Sequence, residues 1–514
     1  MKNYILFSAA LCAVLTSTKG ASAQSIPVRA VSTASAVSSE PFRAVGSVRE
    51  LPNGNVLVND IIARRILLMD STMHLLRVVV DSAATDGSDT YGTRPGALVP
   101  YRADTTIFID PVAYSMLMID GSGKVVRARS VWRAQDAATV ASPGSAIGQI
   151  GTDSRGRIVY RVAASRPNTF VRSADNGPPV IPPTPDSAFI VAADPDTRKI
   201  DTLAVIKVPS FTMHVTGSPG RGMSISPVIN PLPITDEWAV LPDGRVAFVR
   251  GRDYRVEYLN GDGTITSSAK LPFDWQRLSD EDKQRLIDST KVAMQKVAIN
   301  EYATNMIRWV NQTGKEYPKD FTIPEGFVPM PGLPKDAVLP PGVTLPQNYI
   351  YACPPGADNA APTMIMAGPP PGAVAAGGNV TMTRVQSSGD GPGALISATG
   401  CVPAPVMFST GGPLPPPTPR TVEVVNPTDL PDYRPPFPQG SVRADRDGNL
   451  WIRANQMKPV AGGPVFDIVS PKGELVDRIQ LPSGYAVAGF GKDKVVYLTS
   501  RDAAGIHIAR VHLK

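Results

Sequence analysis

The chain has 514 residues, of which 42% are hydrophobic, and its 51 basic and 45 acidic side chains give a formal net charge of +6. Charges of both signs are interspersed, whereas nucleic-acid binding needs a concentrated basic stripe, so no nucleic-acid partner is expected. After the first residues, no segment approaches the ~20 consecutive apolar residues of a membrane-spanning helix, so no membrane span is expected either.

Residues 1–23 have the pattern of a secretory signal peptide. Lys2 supplies the positive start, residues 4–15 (YILFSAALCAVL) are apolar, and Ala-Ser-Ala at 21–23 matches a cleavage site. Cleavage would also remove Lys19 and leave a net charge of +4. We therefore expect an exported protein, either periplasmic or extracellular.

Six short runs of β-forming residues each follow a turn signal directly. Successive runs begin 51, 51, 88, 204 and 45 residues apart, so three spacings match one unit and two match a unit with an insertion. A repeat near this length, built only from strands and turns, is typical of a β-propeller. The runs are VLVND, IFID, IVYRV, VAFVR, LWIR and VVYLT, beginning at Val56, Ile107, Ile158, Val246, Leu450 and Val495.

Each unit is predicted to form a four-stranded antiparallel sheet, with strands A to D running outward from the propeller axis. The sixth unit ends after its third strand, and segment 26–31 (IPVRAV) has no unit of its own, so we expect this segment to supply the missing outer strand. The predicted fold class is all-β, a six-bladed β-propeller closed by an N-terminal strand. A two-sheet sandwich is the alternative, since Asp-Gly and Asn-Gly turns occur in many β proteins.

The long connections are residues 163–188, 209–235 and 276–438, and all of them join strand B to C or strand D to the next A. In a propeller these two kinds of connection emerge on the same face, where such folds usually keep their function. The chain is therefore divided into blades 1–4 (24–275), a large insertion (276–438) and blades 5–6 (439–514).

The large insertion is predicted to contain an amphipathic helix at 280–312, whose apolar stripe packs on the propeller, followed by a Pro/Gly-rich segment at 318–438. Residues 318–440 hold 27 of the 52 prolines. Cys353 and Cys401 are the only cysteines beyond the signal peptide, and in an oxidising compartment they are predicted to form a disulfide. Two free thiols are the alternative.

The B–C loops concentrate polar side chains that folding would gather around one rim. Arginines in such a rim can bind carboxylate or phosphate groups through two parallel hydrogen bonds. The alternative is that Asp and Arg pair with each other to join neighbouring blades. The predicted ligand-binding residues are Asp60, Arg64, Asp110, Tyr114, Arg161, Arg250, Arg252, Arg453 and Arg501.

Segments 56–70 (VLVNDIIARRILLMD) and 246–260 (VAFVRGRDYRVEYLN) share one pattern of strand, polar residue, short loop, arginine and strand. This pattern resembles the unit of the NHL-type and TolB-like six-bladed propellers, and the resemblance covers the propeller units but not the insertions. Such families include binding modules, calcium-dependent gluconolactonase-like hydrolases, zinc-dependent lyases and interaction scaffolds. The resemblance therefore implies a fold and does not select a function.

The sequence favours a ligand-binding or protein-interaction module, with an anionic small molecule, a glycan or a protein as its partner. A zinc enzyme needs clustered histidines, but the chain has four, without H-x-x-x-H spacing, and it has no G-x-S-x-G motif. No cofactor, no catalytic residue and no metal ligand are predicted. The alternative is a calcium-dependent hydrolase or lactonase on the same face, with oxygen ligands from Asn59, Asp60, Asp110 and Asp153.

Overall fold

The computed structural model describes residues 26–82, 90–92, 94–102, 104–141, 148–163, 180–216, 224–330, 332–345, 351–352, 401–402, 416–456, 461–502 and 504–513. The expected signal peptide lies outside these residues. In the described part, no helix combines the length and the apolarity needed to cross a bilayer.

The described chain is mainly β and contains six sheets with the four-strand order A-B-C-D, numbered here 1 to 6 along the chain. The innermost A strands are Val45–Glu50, Ala97–Pro100, Gly151–Thr152, Glu237–Val240, Val442–Ala444 and Ala486–Phe490. The B strands are Val56–Asp60, Thr106–Asp110, Ile158–Ala163, Val246–Arg250, Leu450–Arg453 and Val495–Arg501. The C strands are Arg65–Met69, Ser115–Ile119, Ser187–Ala193, Arg255–Leu259, Val465–Val469 and Ile506–His512. The D strands are Leu75–Asp81, Val125–Ser130, Ile200–Lys207, Ile265–Ser267, Leu475–Gln480 and, for sheet 6, Ala34–Val37.

Six apolar clusters connect these sheets in sequence. Each cluster contains buried side chains from two successive sheets, and the last one joins sheet 6 to sheet 1. Because both faces of each B strand pack on such clusters, these strands are nearly continuous apolar runs. The all-β propeller predicted from the repeat is confirmed. One pair from each cluster, starting between sheets 1 and 2, is Leu57 with Phe108, Ile109 with Tyr160, Ile190 with Trp238, Val249 with Leu450, Trp451 with Val496, and Tyr497 with Val58.

The tight A–B turns follow from the residues that the sequence places there. In sheet 4, the Asp243 carboxylate accepts a hydrogen bond from the Arg245 backbone N–H at 3.0 Å, and Gly244 lies between them at φ +85°. Only glycine adopts this left-handed conformation without a steric cost from Cβ. The Asp-Gly signal therefore specifies the turn directly.

The N-terminal pairing differs from the prediction for segment 26–31. Ala34–Val37, not the predicted segment, is the outer strand of sheet 6 and lies antiparallel to Ile506–His512. Val28–Ala30 instead adds a fifth strand to sheet 5, parallel to Leu475–Gln480. Arg29 donates to the Asp477 carboxylate at 2.7 Å, and this ion pair favours the edge of sheet 5 over that of sheet 6.

In all six sheets the B–C and D–A connections lie at one end, called here the insertion side, and the A–B and C–D turns lie at the other, called the turn side. The long connections meet on the insertion side. The Phe211 carbonyl accepts a hydrogen bond from the Thr184 N–H at 3.0 Å, and this bond joins the long connection 163–188 to the long connection 209–235. Connection 209–235 also forms a hairpin of the strands Thr212–Thr216 and Ser224–Ile229. The strand Ser224–Ile229 pairs in parallel with Glu423–Val424 of the large insertion.

The large insertion contains the helix Asp280–Thr313, compared with an expected 280–312, and a short 3-10 helix at Pro427–Asp429. Ser279 and Asp282 form a reciprocal capping box at the start of the long helix. The apolar clusters around Met306 and Ile307 contain only residues of the insertion itself, so this half of the helix packs on its own insertion and not on the propeller as predicted. A shorter helix, Ala134–Val140, packs between sheets 2 and 3.

Candidate functional site

A group of polar residues surrounds the axis on the insertion side, where A strands begin and B strands end. We call it the axial cluster, and it consists of Arg161, Glu237, Ser441, Arg443 and Arg453. Arg161 and Arg453 belong to B strands of sheets 3 and 5, and Glu237 begins the A strand of sheet 4. The remaining two lie at the start of sheet 5.

Glu237 is the buried acid of this cluster, with 3% of its surface exposed. Its carboxylate accepts a hydrogen bond from the Gly440 N–H at 2.7 Å. Burial raises the pKa of Glu237 to about 8, Asp236 adds to the shift, and the Gly440 N–H and the Arg161 guanidinium oppose it. At neutral pH the Glu237 side chain is therefore mainly protonated and can donate a hydrogen bond.

Strand register places Ser441, Arg443 and Arg453 on one face of sheet 5. Arg443 lies opposite Trp451, and the Arg453 N–H donates to the Ser441 carbonyl at 3.0 Å. Because side chains alternate along a strand, residues 441, 443, 451 and 453 all face sheet 6. Arg443 also donates from Nη1 to the Val487 carbonyl of sheet 6 at 2.7 Å.

Two positive charges lie close together on this face of sheet 5. Burial and the neighbouring charge of Arg453 lower the pKa of Arg443. The Ser441 hydroxyl is buried, with 4% of the residue exposed, and has no hydrogen-bond partner among the described residues. Two adjacent guanidinium groups and a hydroxyl on this face can donate hydrogen bonds to an anion.

Two of the predicted ligand-binding residues hold turns. Asp60 is buried and accepts the backbone N–H groups of Arg43, Ala44 and Ala63 at 3.1 to 3.2 Å. Asp110 is buried as well and accepts from Val112 at 2.7 Å and Ala113 at 3.1 Å. Each carboxylate thus satisfies backbone donors of its own blade, which is neither the predicted ligand binding nor the Asp–Arg pairing between blades.

Arg250 is held between two acids. It donates to Asp236 at 2.8 Å and to Glu257 at 2.8 Å, and these hydrogen bonds raise its pKa despite its burial. Arg64 and Tyr114 occupy equivalent B–C turn positions with φ of 54° and 51°. None of these three is brought into the axial cluster.

Arg252 and Arg501 are exposed. Arg501 ends the B strand of sheet 6. Arg252 lines a cavity of about 370 Å³ together with Lys270, Trp275 and Tyr433. The nine predicted residues thus do not form one site. Asp60, Arg64, Asp110 and Tyr114 lie in turns, Arg250 is ion-paired, Arg501 is exposed, Arg161 and Arg453 belong to the axial cluster, and Arg252 lines a second concave site.

The oxygen ligands suggested for calcium do not converge. Asp153 is on the turn side, where it accepts the Arg155 and Arg157 N–H groups, whereas Asp60 and Asp110 are on the insertion side. Among the residues placed by the structure, no three His, Cys, Asp or Glu side chains are grouped as metal ligands. Calcium binding stays an untested prediction.

The predicted disulfide cannot be located, because Cys353 and the side chain of Cys401 lie outside the described residues. The backbone of Tyr351–Ala352 pairs in parallel with Cys401–Val402, which places the two chain segments side by side.

No family model and no curated protein matches the chain. Among solved structures, the chain is similar to a member of the DUF4221 family from Bacteroides vulgatus, at 11% identity and a TM-score of 0.29, over 51% of this chain and 70% of that one. An exported protein from Bacteroides fragilis matches at 11% identity and a TM-score of 0.26, over 51% of this chain and 59% of that one. Virginiamycin B lyase from Staphylococcus aureus matches at 13% identity and a TM-score of 0.20, over 45% and 71%. Nothing about the function of this chain follows from these similarities.

Glu237, Ser441 and Arg443 were missed by the sequence analysis, which searched only the B–C loops. The A strands contained the relevant information. An inner strand that is packed on both faces is expected to be apolar, so polar residues in it are unusual. The segments DEWAVLP (236–242) and GSVRADRD (440–447) instead place ionisable or hydroxyl side chains at alternate or leading positions.

Proposed function

We propose that this protein is an exported six-bladed propeller of the NHL-like type that binds an anionic ligand at the axial cluster on its insertion side. The ligand carries a carboxylate or phosphate group, either as a small molecule or as part of a glycan or a protein.

One observation carries the proposal: Arg443, Arg453 and the Ser441 hydroxyl share one face of sheet 5. Arg443 and Arg453 are close enough for one charge to lower the pKa of the other, and the Ser441 hydroxyl beside them has no partner among the described residues. Burying like charges together is costly unless an opposite charge is present. A bound anion would remove this cost and accept hydrogen bonds from all three side chains.

Glu237 supports the proposal because its pKa of about 8 keeps it protonated at neutral pH. The ionised form would place a negative charge beside Gly440 at the start of sheet 5 and repel an anion there. Affinity for the anion is therefore expected to fall as the pH rises through about 8.

The test is isothermal titration of inorganic phosphate, succinate and galacturonate into the protein and its variants. Arg453→Gln and Ser441→Ala should weaken binding of the best anion, Arg453→Gln by about tenfold or more, since a charge-assisted hydrogen bond contributes about 1.5–3 kcal/mol. Arg245→Gln is the matched control, because Arg245 lies on the turn side and pairs with Asp243. If no anion binds, or if the control and the cluster variants lose affinity equally, the proposal is wrong.

Metal analysis separates this proposal from the alternative of a calcium-dependent hydrolase. Purified protein that retains stoichiometric calcium would favour the hydrolase. Calcium-free protein that still binds the anion would favour the binding module.

A further inference from the structure

The cavity lined by Arg252, Lys270, Trp275 and Tyr433 lies at the base of the large insertion and outside the axial cluster. We propose that it is a second binding site, specific for a carboxylate-bearing sugar such as a uronic-acid oligosaccharide. The inference is independent of the function proposed for the axial cluster. We call this cavity the aromatic cavity.

The backbone fixes the position of the two aromatic residues. The ends of the insertion run side by side, with the Leu278 N–H donating to the Asp432 carbonyl at 2.8 Å and the Arg434 N–H donating to the Gln276 carbonyl at 3.1 Å. Lys283 at the start of the long helix also pairs with the Asp432 carboxylate at 2.8 Å. Trp275 and Tyr433 flank this paired stem and are therefore held by it.

Packing beneath the stem orients the Trp275 ring. Trp275 contacts Phe273 edge-on at 5.1 Å between ring centroids, and Phe273 contacts the fully buried Tyr254 at 5.8 Å. The Tyr254 hydroxyl donates to Asp467 of sheet 5 at 2.6 Å. This aromatic series connects the cavity to the core, so the ring is positioned before any ligand arrives.

The outer faces of the two rings remain in water. Trp275 is 37% exposed and Tyr433 is 46% exposed, and their planes stand at 88° with centroids 6.4 Å apart. Two perpendicular aromatic surfaces form a corner that can pack on the C–H face of a sugar ring, whose weakly positive hydrogens suit the negative face of an aromatic ring. The volume of about 370 Å³ is within the usual range of small-molecule sites.

The charges select an acidic sugar over a neutral one. Arg252 makes no hydrogen bond or ion pair with any other described residue, so its guanidinium is available for a carboxylate. The Lys270 side chain is 71% exposed, and its Nζ is 3.7 Å from Asp253, a carboxylate that Arg255 also contacts at 3.3 Å. The cavity lining thus contains two cations and no acid.

The tryptophans provide a direct measurement. All five tryptophans of the chain are described, and four of them, Trp132, Trp238, Trp309 and Trp451, are buried. Acrylamide, a neutral quencher, should therefore report mainly on Trp275. The probe is trigalacturonic acid, with the uncharged galactose trimer as its comparison.

We expect trigalacturonic acid to protect the tryptophan fluorescence of the full chain from acrylamide, and the neutral trimer to do so at least about tenfold less effectively. Arg252→Gln should weaken protection by the acidic trimer about tenfold without changing the unliganded quenching. Trp275→Phe should remove the quenchable signal, and titration calorimetry with this variant should still detect binding, because phenylalanine keeps an aromatic face.

Ser441→Ala and Arg453→Gln are the matched controls and should leave the protection unchanged, which separates a failure of this site from a failure of the axial cluster. Equal protection by the acidic and neutral trimers, no protection at millimolar acidic trimer, or loss of protection in the axial variants would each overturn the proposal.

Discussion

Two buried glutamates lie at opposite ends of the innermost strands, and their surroundings differ. Glu50 ends the A strand of sheet 1 on the turn side and accepts the Lys492 N–H at 2.9 Å and the Tyr497 hydroxyl at 2.7 Å. Glu237 begins the A strand of sheet 4 on the insertion side and accepts the Gly440 N–H. Burial and the hydrogen bond to Glu50 raise the pKa of Tyr497, and burial raises the pKa of Glu237 to about 8.

The arginines of the two ends differ in the same way. On the turn side, Arg102 donates to the Arg155 carbonyl at 3.3 Å, Arg155 to the Gly261 carbonyl at 3.2 Å, and Arg446 to the Glu50 carbonyl at 3.1 Å. Each of these bonds links one sheet to another. On the insertion side, Arg443 and Arg453 lie beside each other. Residue type alone therefore does not identify a site here, because Arg443 and Arg453 differ from the turn-side arginines in their proximity to each other and to the Ser441 hydroxyl, which has no partner among the described residues.

The largest expected effect concerns Glu237 and pH. A carboxyl whose pKa is raised on folding binds its proton more tightly in the folded state, so the contribution of Glu237 to stability is greatest below pH about 4.5, declines as the pH rises through about 8, and is level above that. The full change amounts to about 5 kcal/mol, at about 1.4 kcal/mol per pKa unit. Urea unfolding of Glu237→Gln across this range should lack the decline.

Glu474→Gln, an exposed turn residue, is the control and should keep the wild-type pH dependence. A decline that persists unchanged in Glu237→Gln would show that Glu237 is not the titrating group.

The second effect concerns Glu50. Replacing it with alanine leaves the buried Tyr497 hydroxyl without its acceptor, and we expect a loss of about 3 kcal/mol in the free energy of unfolding. Adding Tyr497→Phe removes the orphaned hydroxyl and should restore part of that loss. If the double variant is less stable than Glu50→Ala by a full additional increment, the two side chains do not act as a pair.

The third effect compares two glycines with matched backbone angles on the turn side. Gly244 has φ +85° and Gly263 has φ +89°, but a Cβ on Gly244 would lie 2.1 Å from the Ser154 nitrogen, whereas a Cβ on Gly263 meets nothing within 4 Å. Gly263→Ala should cost about 1–2 kcal/mol from the left-handed conformation alone. Gly244→Ala should cost about 1–2 kcal/mol more, because backbone must move. If urea unfolding shows the same loss of stability for both variants, the close approach of the Gly244 Cβ to Ser154 contributes nothing to the cost.

The turns and strand runs could be predicted because they are local. Asp243 and Gly244 specify their turn within four residues, and Val246–Arg250 is a continuous β-forming run. The repeat can therefore be recognised from the local sequence, without knowledge of tertiary contacts. The pairing of Val28–Ala30 and Ala34–Val37 could not be chosen this way, since both are short strands and the choice depends on Arg29 meeting Asp477, a residue 448 positions away.

The candidate site was predicted only in part for the same reason. Arg161 and Arg453 could be found because they end recognisable B strands. Glu237 and Ser441 become informative only when Gly440 is known to contact Glu237 and the Ser441 hydroxyl is known to have no hydrogen-bond partner among the residues that the structure describes. Asp60 and Asp110 are of a residue type that often binds ligands, but each accepts hydrogen bonds from nearby backbone N–H groups and so supports a turn.

The strand Ala34–Val37 has a kinetic consequence. Ser35 donates a hydrogen bond to the Arg510 carbonyl, and the two residues are 475 positions apart in the sequence. Contacts between such distant residues form slowly during folding. During synthesis the early segment must stay unpaired until Ile506–His512 has been made, and sheet 6 can be completed only after that. Until the two strands pair, Ile506–His512 is an open β edge that other chains can join.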